Sequence, residues 1–413
     1  MLIALRSAIN SLKTNKGRTL MTVVGISIGI AMVMIVLSAG GGVKSLVLEQ
    51  VSSFGDNWIN IEVKVPNTGR NSTANVTALA GGVNITTLTE GDAAAIKDLD
   101  NVSEFYAGVT GQFVVTYENE RERPTMFAVT PGYFAIDTGK IAKGRVFTQN
   151  EQNSASQVVV LGHGIAIDLF GQNDPIGKTV KIDKKSFSVI GVMQERGATG
   201  FFDMDKIVMI PLKTAQKKLM GIDHVLWIIA QVYNNDRAAD TADEIVHLMR
   251  ERHDITDPDK DDFAVTTQAE SIEVVNVIFN GITWLLVALA AISLLVGGVG
   301  IMNVMYVSVA ERTFEIGLRK AVGAGQKDIR NQFLAEAVLV TLIGGIIGMI
   351  IGIAISLLAA FGAQSYGFNW PYSVSLFSII LGVGFSTAVG VLFGTAPANA
   401  AAKLDPIVAM RAE

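Results

Sequence analysis

Four stretches of this chain, 19–41, 282–310, 337–363 and 374–396, contain no charged side chain and are dominated by apolar residues. Each exceeds the ~18–20 residues a helix needs to cross about 30 Å of hydrocarbon. Four such runs cannot all be buried in the core of one soluble domain of this length. The sequence therefore predicts four transmembrane helices. Hydrophobic residues make up 50% of the chain and charged residues 17%, against roughly 25% charged in soluble domains. The deviation is concentrated in the four runs.

The first run is longer than the ~7–15-residue core of a cleaved signal peptide, and eighteen residues precede it. Within 1–18, Leu2, Leu5, Ile9 and Leu12 share one helical face, and Arg6, Asn10 and Lys13 the other. This predicts an amphipathic interfacial helix leading into an uncleaved anchor. Lysine and arginine set the orientation. Arg6, Lys13, Lys16 and Arg18 precede the first run; Arg312, Arg319, Lys320, Lys327 and Arg330 follow the second; Lys403 and Arg411 lie in the tail. The link at 364–373 has none. Positive residues concentrate on the cytoplasmic side, so both termini and 311–332 are expected in the cytoplasm and 42–281 outside it.

The outer segment reads as an α+β domain. Ile59, Ile61, Val63 and Val65 alternate within 56–65, a half-buried strand, followed by a polar loop at 66–87 with sequons at Asn71, Asn75 and Asn84. Thr89 and Asp92 open a helix through Leu99, and 102–117 is strand-like. The order recurs: a strand at 226–233, a helix capped by Asp236 and carrying Ile245, Val246, Leu248 and Met249, and a strand at 263–267. Two strand–helix–strand units predict a ferredoxin-like, porter-type subdomain from 42–120 and 225–267. Short strands at 158–161, 179–182, 187–193 and 207–210 mark 121–224 as an inserted, mostly-β subdomain. Residues 268–281 continue as a stalk helix into the second span. The remaining boundaries are a first span at 19–41, a second at 282–310, a cytoplasmic segment at 311–332, a third span at 333–363, an outer loop at 364–373, a fourth span at 374–396 and a tail at 397–413.

Few residues suggest chemistry. Cysteine is absent, which excludes disulfides and thiolate sites. A net charge of −5 without a basic stripe argues against nucleic-acid binding. From Gly171 through Gly177, Lys178 and Thr179 the chain resembles a phosphate loop, but five residues separate its glycines where four are needed, and a strand follows. A turn is expected there. Asp257, Asp259 and Asp261 have the spacing that opens a calcium loop, yet Asp262 and Gln268 stand where glycine and glutamate belong. His247 and His253 do not share a helical face. No metal site and no catalytic residue is predicted. Gly25 and Gly29 in the first run, Gly344, Gly348 and Gly352 in the third and Gly390 and Gly394 in the fourth have the small-residue spacing that lets helices pack closely. No ionisable residue lies mid-span, which disfavours an ion- or proton-driven carrier.

The densest pattern is Glu311-Arg312-Thr313-Phe314-Glu315-Ile316-Gly317-Leu318-Arg319-Lys320-Ala321-Val322-Gly323-Ala324. It reads as a short amphipathic surface helix, suited to a soluble partner. The run of Glu-Arg-Thr, Glu-Ile-Gly, Arg-Lys-Ala and Gly-Ala just after the second of four spans resembles the signature of MacB/FtsX-type ABC transporter permeases. The tail from Leu404 through Asp405, Pro406, Ile407, Val408, Ala409, Met410 and Arg411 is similar to the family's ending. So are Ala4-Leu5-Arg6 and Lys16-Gly17-Arg18-Thr19 before the first run, Gly144-Arg145-Val146-Phe147-Thr148, and Asp174-Pro175-Ile176-Gly177-Lys178-Thr179. The resemblance covers essentially the whole chain and is closer to MacB-like members than to the cell-division branch.

The resemblance implies a permease dimer in the cytoplasmic (inner) membrane, driven by ATP and Mg bound to a cytoplasmic ABC ATPase. MacB itself carries that ATPase; no Walker motif stands here, so a separate subunit is implied. The coupling residues would be Glu311, Arg312, Glu315, Arg319 and Lys320 for polar contacts, Phe314 and Ile316 for apolar ones, and Gly317 and Gly323 for close approach. A substrate would be exported by mechanotransmission, with a periplasmic adaptor as a further partner. The alternative is a non-transporting device relaying ATPase motion to an outer partner such as a cell-wall hydrolase.

Overall fold

The computed structural model describes residues 16–53, 55–69, 82–199, 202–365, 370 and 375–411. The reading of an interfacial helix at 1–18 falls almost wholly outside them, as do Asn71, Asn75 and most of 364–373. The chain forms two compact units, one of Met1–Ser45, Asn276–Tyr366 and Trp370–Glu413, the other of Leu46–Val275 and Gly367–Asn369.

The second unit contains the strands β1 (Trp58–Val63), β2 (Val102–Gln112), β3 (Val115–Tyr117), β4 (Glu120–Glu122), β5 (Thr125–Val129), β6 (Ile141–Gly144), β7 (Val158–Leu161), β8 (Thr179–Ile182), β9 (Lys185–Met193), β10 (Ala198–Thr199), β11 (Phe202–Asp203), β12 (Ile207–Pro211), β13 (Trp227–Val232) and β14 (Phe263–Thr267). Twelve form one mixed sheet ordered β14-β1-β13-β2-β5-β12-β7-β9-β8-β3-β4, with β6 paired to β9; β10 and β11 pair separately. The run β14-β1-β13-β2 is antiparallel throughout. Each strand–helix–strand unit thus encloses a strand of the other, which is the split βαβ arrangement of a ferredoxin-like fold. The strands contributed by 121–224 extend this sheet: β5 pairs with β2, and β12 runs parallel to β5.

Alternation sorts the core onto two faces. Val208 and Ile210 of β12, Val159 and Leu161 of β7, and Ile228 and Ala230 of β13 enter one buried cluster. Their neighbours Ile207, Met209, Val160 and Ile229 enter another on the opposite face. Strands covered on both sides read as unbroken apolar runs, as Val158–Leu161 does.

Local signals differ from the sequence reading in three places. The strand-like stretch 102–117 breaks after Gln112, and β3 lies between β8 and the edge strand β4. The first strand starts at Trp58, because Asn57 has a left-handed φ of 56°. Asn234, not Asp236, is the capping side chain before the helix Ala238–Arg252; it accepts from the Asp236 N–H and opens a 3₁₀ turn at Asn235–Arg237. Thr89 does cap Glu90–Lys97, with Asp92 completing a capping box.

Asp92 also joins the two strand–helix–strand halves. Arg252 Nε donates to its Oδ1 at 2.7 Å, and His253 Nε2 lies 3.5 Å from its Oδ2. His253 Nδ1 meets Asp262 at 2.9 Å, and its side chain is 6% exposed. The hydrogen bond to Asp262 and then the charge of Asp92 close by push the imidazole pKa up to about 9, against the desolvation that lowers it. Burial pushes the Asp92 carboxyl up, but hydrogen bonds from His253, Arg252 and Thr89 outweigh it and hold it well below the usual range.

Four helices, most of whose residues belong to the other unit, are long and apolar enough to cross a membrane: Lys16–Ser53, Gln268–Glu311, Gln326–Ser365 and Leu376–Lys403. The stalk residues 268–281 and the second run are one 44-residue helix, about 66 Å at 1.5 Å per residue. Glycines set the close approaches. A Cβ built on Gly25 would lie 3.4 Å from the Gly297 Cα, and one on Gly29 2.8 Å from a Leu294 methyl. On the third helix, a Cβ on Gly344 would lie 3.2 Å from Ile26, one on Gly348 2.5 Å from the Ser27 carbonyl, and one on Gly352 2.6 Å from Met34. On the fourth, Gly390 faces Thr341 and Val338, and Gly394 faces Ala337. These approaches are between helices of one chain, where backbone contact replaces side-chain interdigitation. Ser27 Oγ donates across to the Gly344 carbonyl at 2.9 Å.

Candidate functional site

The segment after the second span folds as the helix Thr313–Ala321. It is separated from the preceding helix by Arg312 alone. It ends at Val322, and Gly323 follows at a φ of +109°, a left-handed conformation favouring glycine. The next helix starts at Gln326, so 326–332, assigned to the cytoplasmic segment from sequence, are its first turns. Asp328 opens that helix by accepting from the Gly325 N–H at 3.1 Å.

The short helix has two distinct faces. Ile316 is 2% exposed and shares a buried cluster with Ile329 and Phe333. A Cβ on Gly317 would lie 2.8 Å from the Ala409 Cβ, so only glycine admits the tail helix Pro406–Arg411 at that distance. The outer face carries Phe314, Leu318 and Val322, 56%, 49% and 83% exposed. Their spacing of four lays them along one stripe. Glu311, Glu315 and Ala321 are exposed as well.

The three predicted cations each engage the chain itself. Arg312 Nη1 lies 3.3 Å from both carboxylate oxygens of Glu336, whose side chain is 2% exposed. Arg319 donates to Gln332 Oε1 at 2.7 Å and to Glu315 Oε1 at 2.6 Å. Lys320 Nζ donates to the Ala402 carbonyl at 2.9 Å and to that of Leu404.

The nine residues named from sequence therefore separate. Glu311, Phe314 and Glu315 lie on the open face. Arg312, Arg319 and Lys320 turn toward neighbouring helices, and Gly323 ends the helix. Ile316 and Gly317 are inside, Ile316 in the buried cluster and Gly317 against the tail helix: a short helix buries the stripe that faces its scaffold. Leu318 and Val322 were not singled out; their place four and eight residues after Phe314 was the signal available. Glu336 stands one residue before a charge-free run, which hid it.

The other sequence features hold no competing site. Gly171 and Gly177 have φ of 58° and 77°, and Thr179 begins β8, so the glycine-rich stretch is a turn. Asp257 Oδ1 accepts from the Asp259 N–H, and Asp261 pairs with Arg250 at 2.7 Å. His247 is exposed, away from the buried His253. Among the described residues, no group of three or more histidine, cysteine, aspartate or glutamate side chains could hold a metal ion.

Residues 19–248 match the family described as MacB-like periplasmic core domain, and residues 287–406 the FtsX-like permease C-terminal family. The chain is 37% identical over 411 residues to a "Macrolide export ATP-binding/permease protein MacB" of Wolinella succinogenes, covering 99% of this chain and 61% of that protein. It is 36% identical over 414 residues to the protein of that name in Bdellovibrio bacteriovorus, with coverage of 99% and 61%. The chain thus spans about three-fifths of these relatives' length. A crystal structure of the periplasmic region of MacB from Actinobacillus actinomycetemcomitans aligns with a TM-score of 0.46 at 19% identity, covering 56% of this chain and 97% of that one. On the two family matches, the first of which covers more than half of the chain, the chain belongs to the MacB/FtsX-type ABC transporter permeases.

Proposed function

We propose that this chain is a permease subunit driven by a separate cytoplasmic ABC ATPase and that it exports a substrate by mechanotransmission. ATP hydrolysis moves the spans, and the spans move the extracytoplasmic domain. ATP and Mg bind the ATPase. Both termini are cytoplasmic, and two copies assemble in the cytoplasmic membrane, with a periplasmic adaptor as a further partner. Relatives named ATP-binding/permease proteins, which combine the two activities by name, support the pairing with an ATPase.

The observation that carries this reading is the stripe of Phe314, Leu318 and Val322. Three apolar side chains exposed on a helix at the end of a span are costly in water and gain by burial. Glu311 and Glu315 beside them favour a partner groove that is apolar with a basic rim. Such an amphipathic helix lays its i, i+4 and i+8 side chains into a groove.

Leu318→Asp combined with Phe314→Asp is expected to weaken ATPase binding at least tenfold, about 1.4 kcal/mol, while the permease still folds in detergent. Unchanged co-purification and unchanged permease-dependent ATP hydrolysis would defeat the proposal.

A further inference from the structure

We infer that Arg312, Arg319 and Lys320 form an internal clamp, carrying displacement of the helix Thr313–Ala321 into the third and fourth spans without touching the partner. The inference rests on the reading of that helix as a docking surface. It changes the role of its basic residues from recognition to transmission.

The geometry has three parts. Gln332 and Glu336 are four residues apart on the helix Gln326–Ser365, hence on one face and one turn apart. Arg319 reaches the first at 2.7 Å and Arg312 the second at 3.3 Å. Seven residues, about two turns, separate the two arginines, so both ends of the short helix are tied to the same span. The carboxylate of Glu336 is buried, and Arg312 opposes its charge. Separating a buried ion pair leaves a charge without its partner, so this tie resists breaking.

The second part is Lys320. It donates to the carbonyls of Ala402 and Leu404, at the C-terminus of Leu376–Lys403. Carbonyls there lack intrahelical partners and carry the negative end of the helix dipole, so an ammonium suits them. The short helix is thereby bound to the fourth span as well.

The third part is the apolar contact between these ties. Ile316 is in one buried cluster with Ile329 and Phe333 of the third span and with Ala398, Ala401 and Ala402 of the fourth. Gly317 presses on Ala409. Sliding or rotating the short helix would break polar bonds at both ends and the packing at its middle. A push on Phe314, Leu318 and Val322 is therefore delivered to two spans together.

The absence of cysteine allows paired labelling. Spin labels at Ala321→Cys and Gln364→Cys, both at exposed positions, report the distance from the short helix to the far end of the third span. The sample is the full chain in nanodiscs, alone and with its ATPase and ATP. In the otherwise unmodified chain the distance is expected to stay single and unchanged on ATP addition. In Glu336→Gln, Lys320→Met and the milder Gln332→Ala, it is expected to broaden without ATPase and to shift with ATP. ATPase affinity in these variants is expected to stay within about twofold.

A distance that moves with ATP in the parent protein overturns the clamp. So does a narrow, parental distance in all three variants, or a tenfold affinity loss in them. If Phe314→Asp with Leu318→Asp leaves ATPase affinity intact, the docking reading fails instead. The ATPase-free distances then still decide whether the clamp exists.

Discussion

His253 links its two neighbours by charge as well as by position. Its imidazole pKa is raised from 6.5 to about 9 by Asp262 and Asp92, a rise worth on the order of 3 kcal/mol of stability. The folded pKa lies above the unfolded one, so the contribution is complete below about pH 6.5 and disappears as pH rises through about 9. The lowered Asp92 acts oppositely: its contribution is present above its unfolded pKa near 3.8 and is lost as pH falls through the lower folded value. His253→Gln should therefore destabilise the outer unit most between about pH 4 and 6.5, with the deficit shrinking toward pH 9.5. Thermal unfolding of the full chain in detergent across that range tests this. A deficit that does not change with pH would mean that the imidazolium charge is not what matters.

Among the elements, the helix Thr313–Ala321 shows most directly how a sequence divides its residues between scaffold and surface. Its nine residues are too few to be stable alone in water. Packing of Ile316 and Gly317 and the ties of its cations supply what propensity does not. Gly317→Val places a branched side chain where a single Cβ already comes within 2.8 Å of Ala409. Overpacking of this kind costs about 1–3 kcal/mol, and the tail helix Pro406–Arg411 should detach first. Faster amide exchange at 407–411, with exchange elsewhere in the spans unchanged, is the expected signature.

The third long helix responds to the same logic in the membrane. Gly348→Leu drives a side chain into the Ser27 carbonyl, 2.5 Å from the position of its Cβ, and must separate the first and third helices. Gly384→Leu is a control, since nothing lies within 4 Å of its Cβ position. A loss of thermal stability in the first variant and not the second is expected. Equal losses would show that glycine is needed for some reason other than interhelical approach.

For the whole molecule, the division into two units with separate buried cores predicts unfolding that is not two-state. Calorimetry of the full chain should show two transitions. His253→Gln should move only one of them and Gly348→Leu only the other, and the two shifts should add in the double variant, because the sites share no partners. A single transition moved by both substitutions would show the units to be one cooperative body.

The sequence by itself determined the four long apolar helices, since hydrocarbon leaves a backbone no hydrogen-bonding partner outside the helix. It determined most strands of the outer domain, where period-2 alternation and the Thr89–Asp92 box are local signals. It also marked 311–324 as the segment of interest, by charge density and resemblance. Only the tertiary structure decided that β3 leaves β2 to pair with β8 and β4 at the far end of the sheet. Only it showed that Ile316 faces inward while Phe314, Leu318 and Val322 face out, and that Arg312, Arg319 and Lys320 are held by the third and fourth helices. An amphipathic pattern says that a helix has two faces. Which face is buried, and which cation finds a carboxylate or a free carbonyl, depends on residues such as Glu336 and Ala402, far along the chain and without a signal of their own.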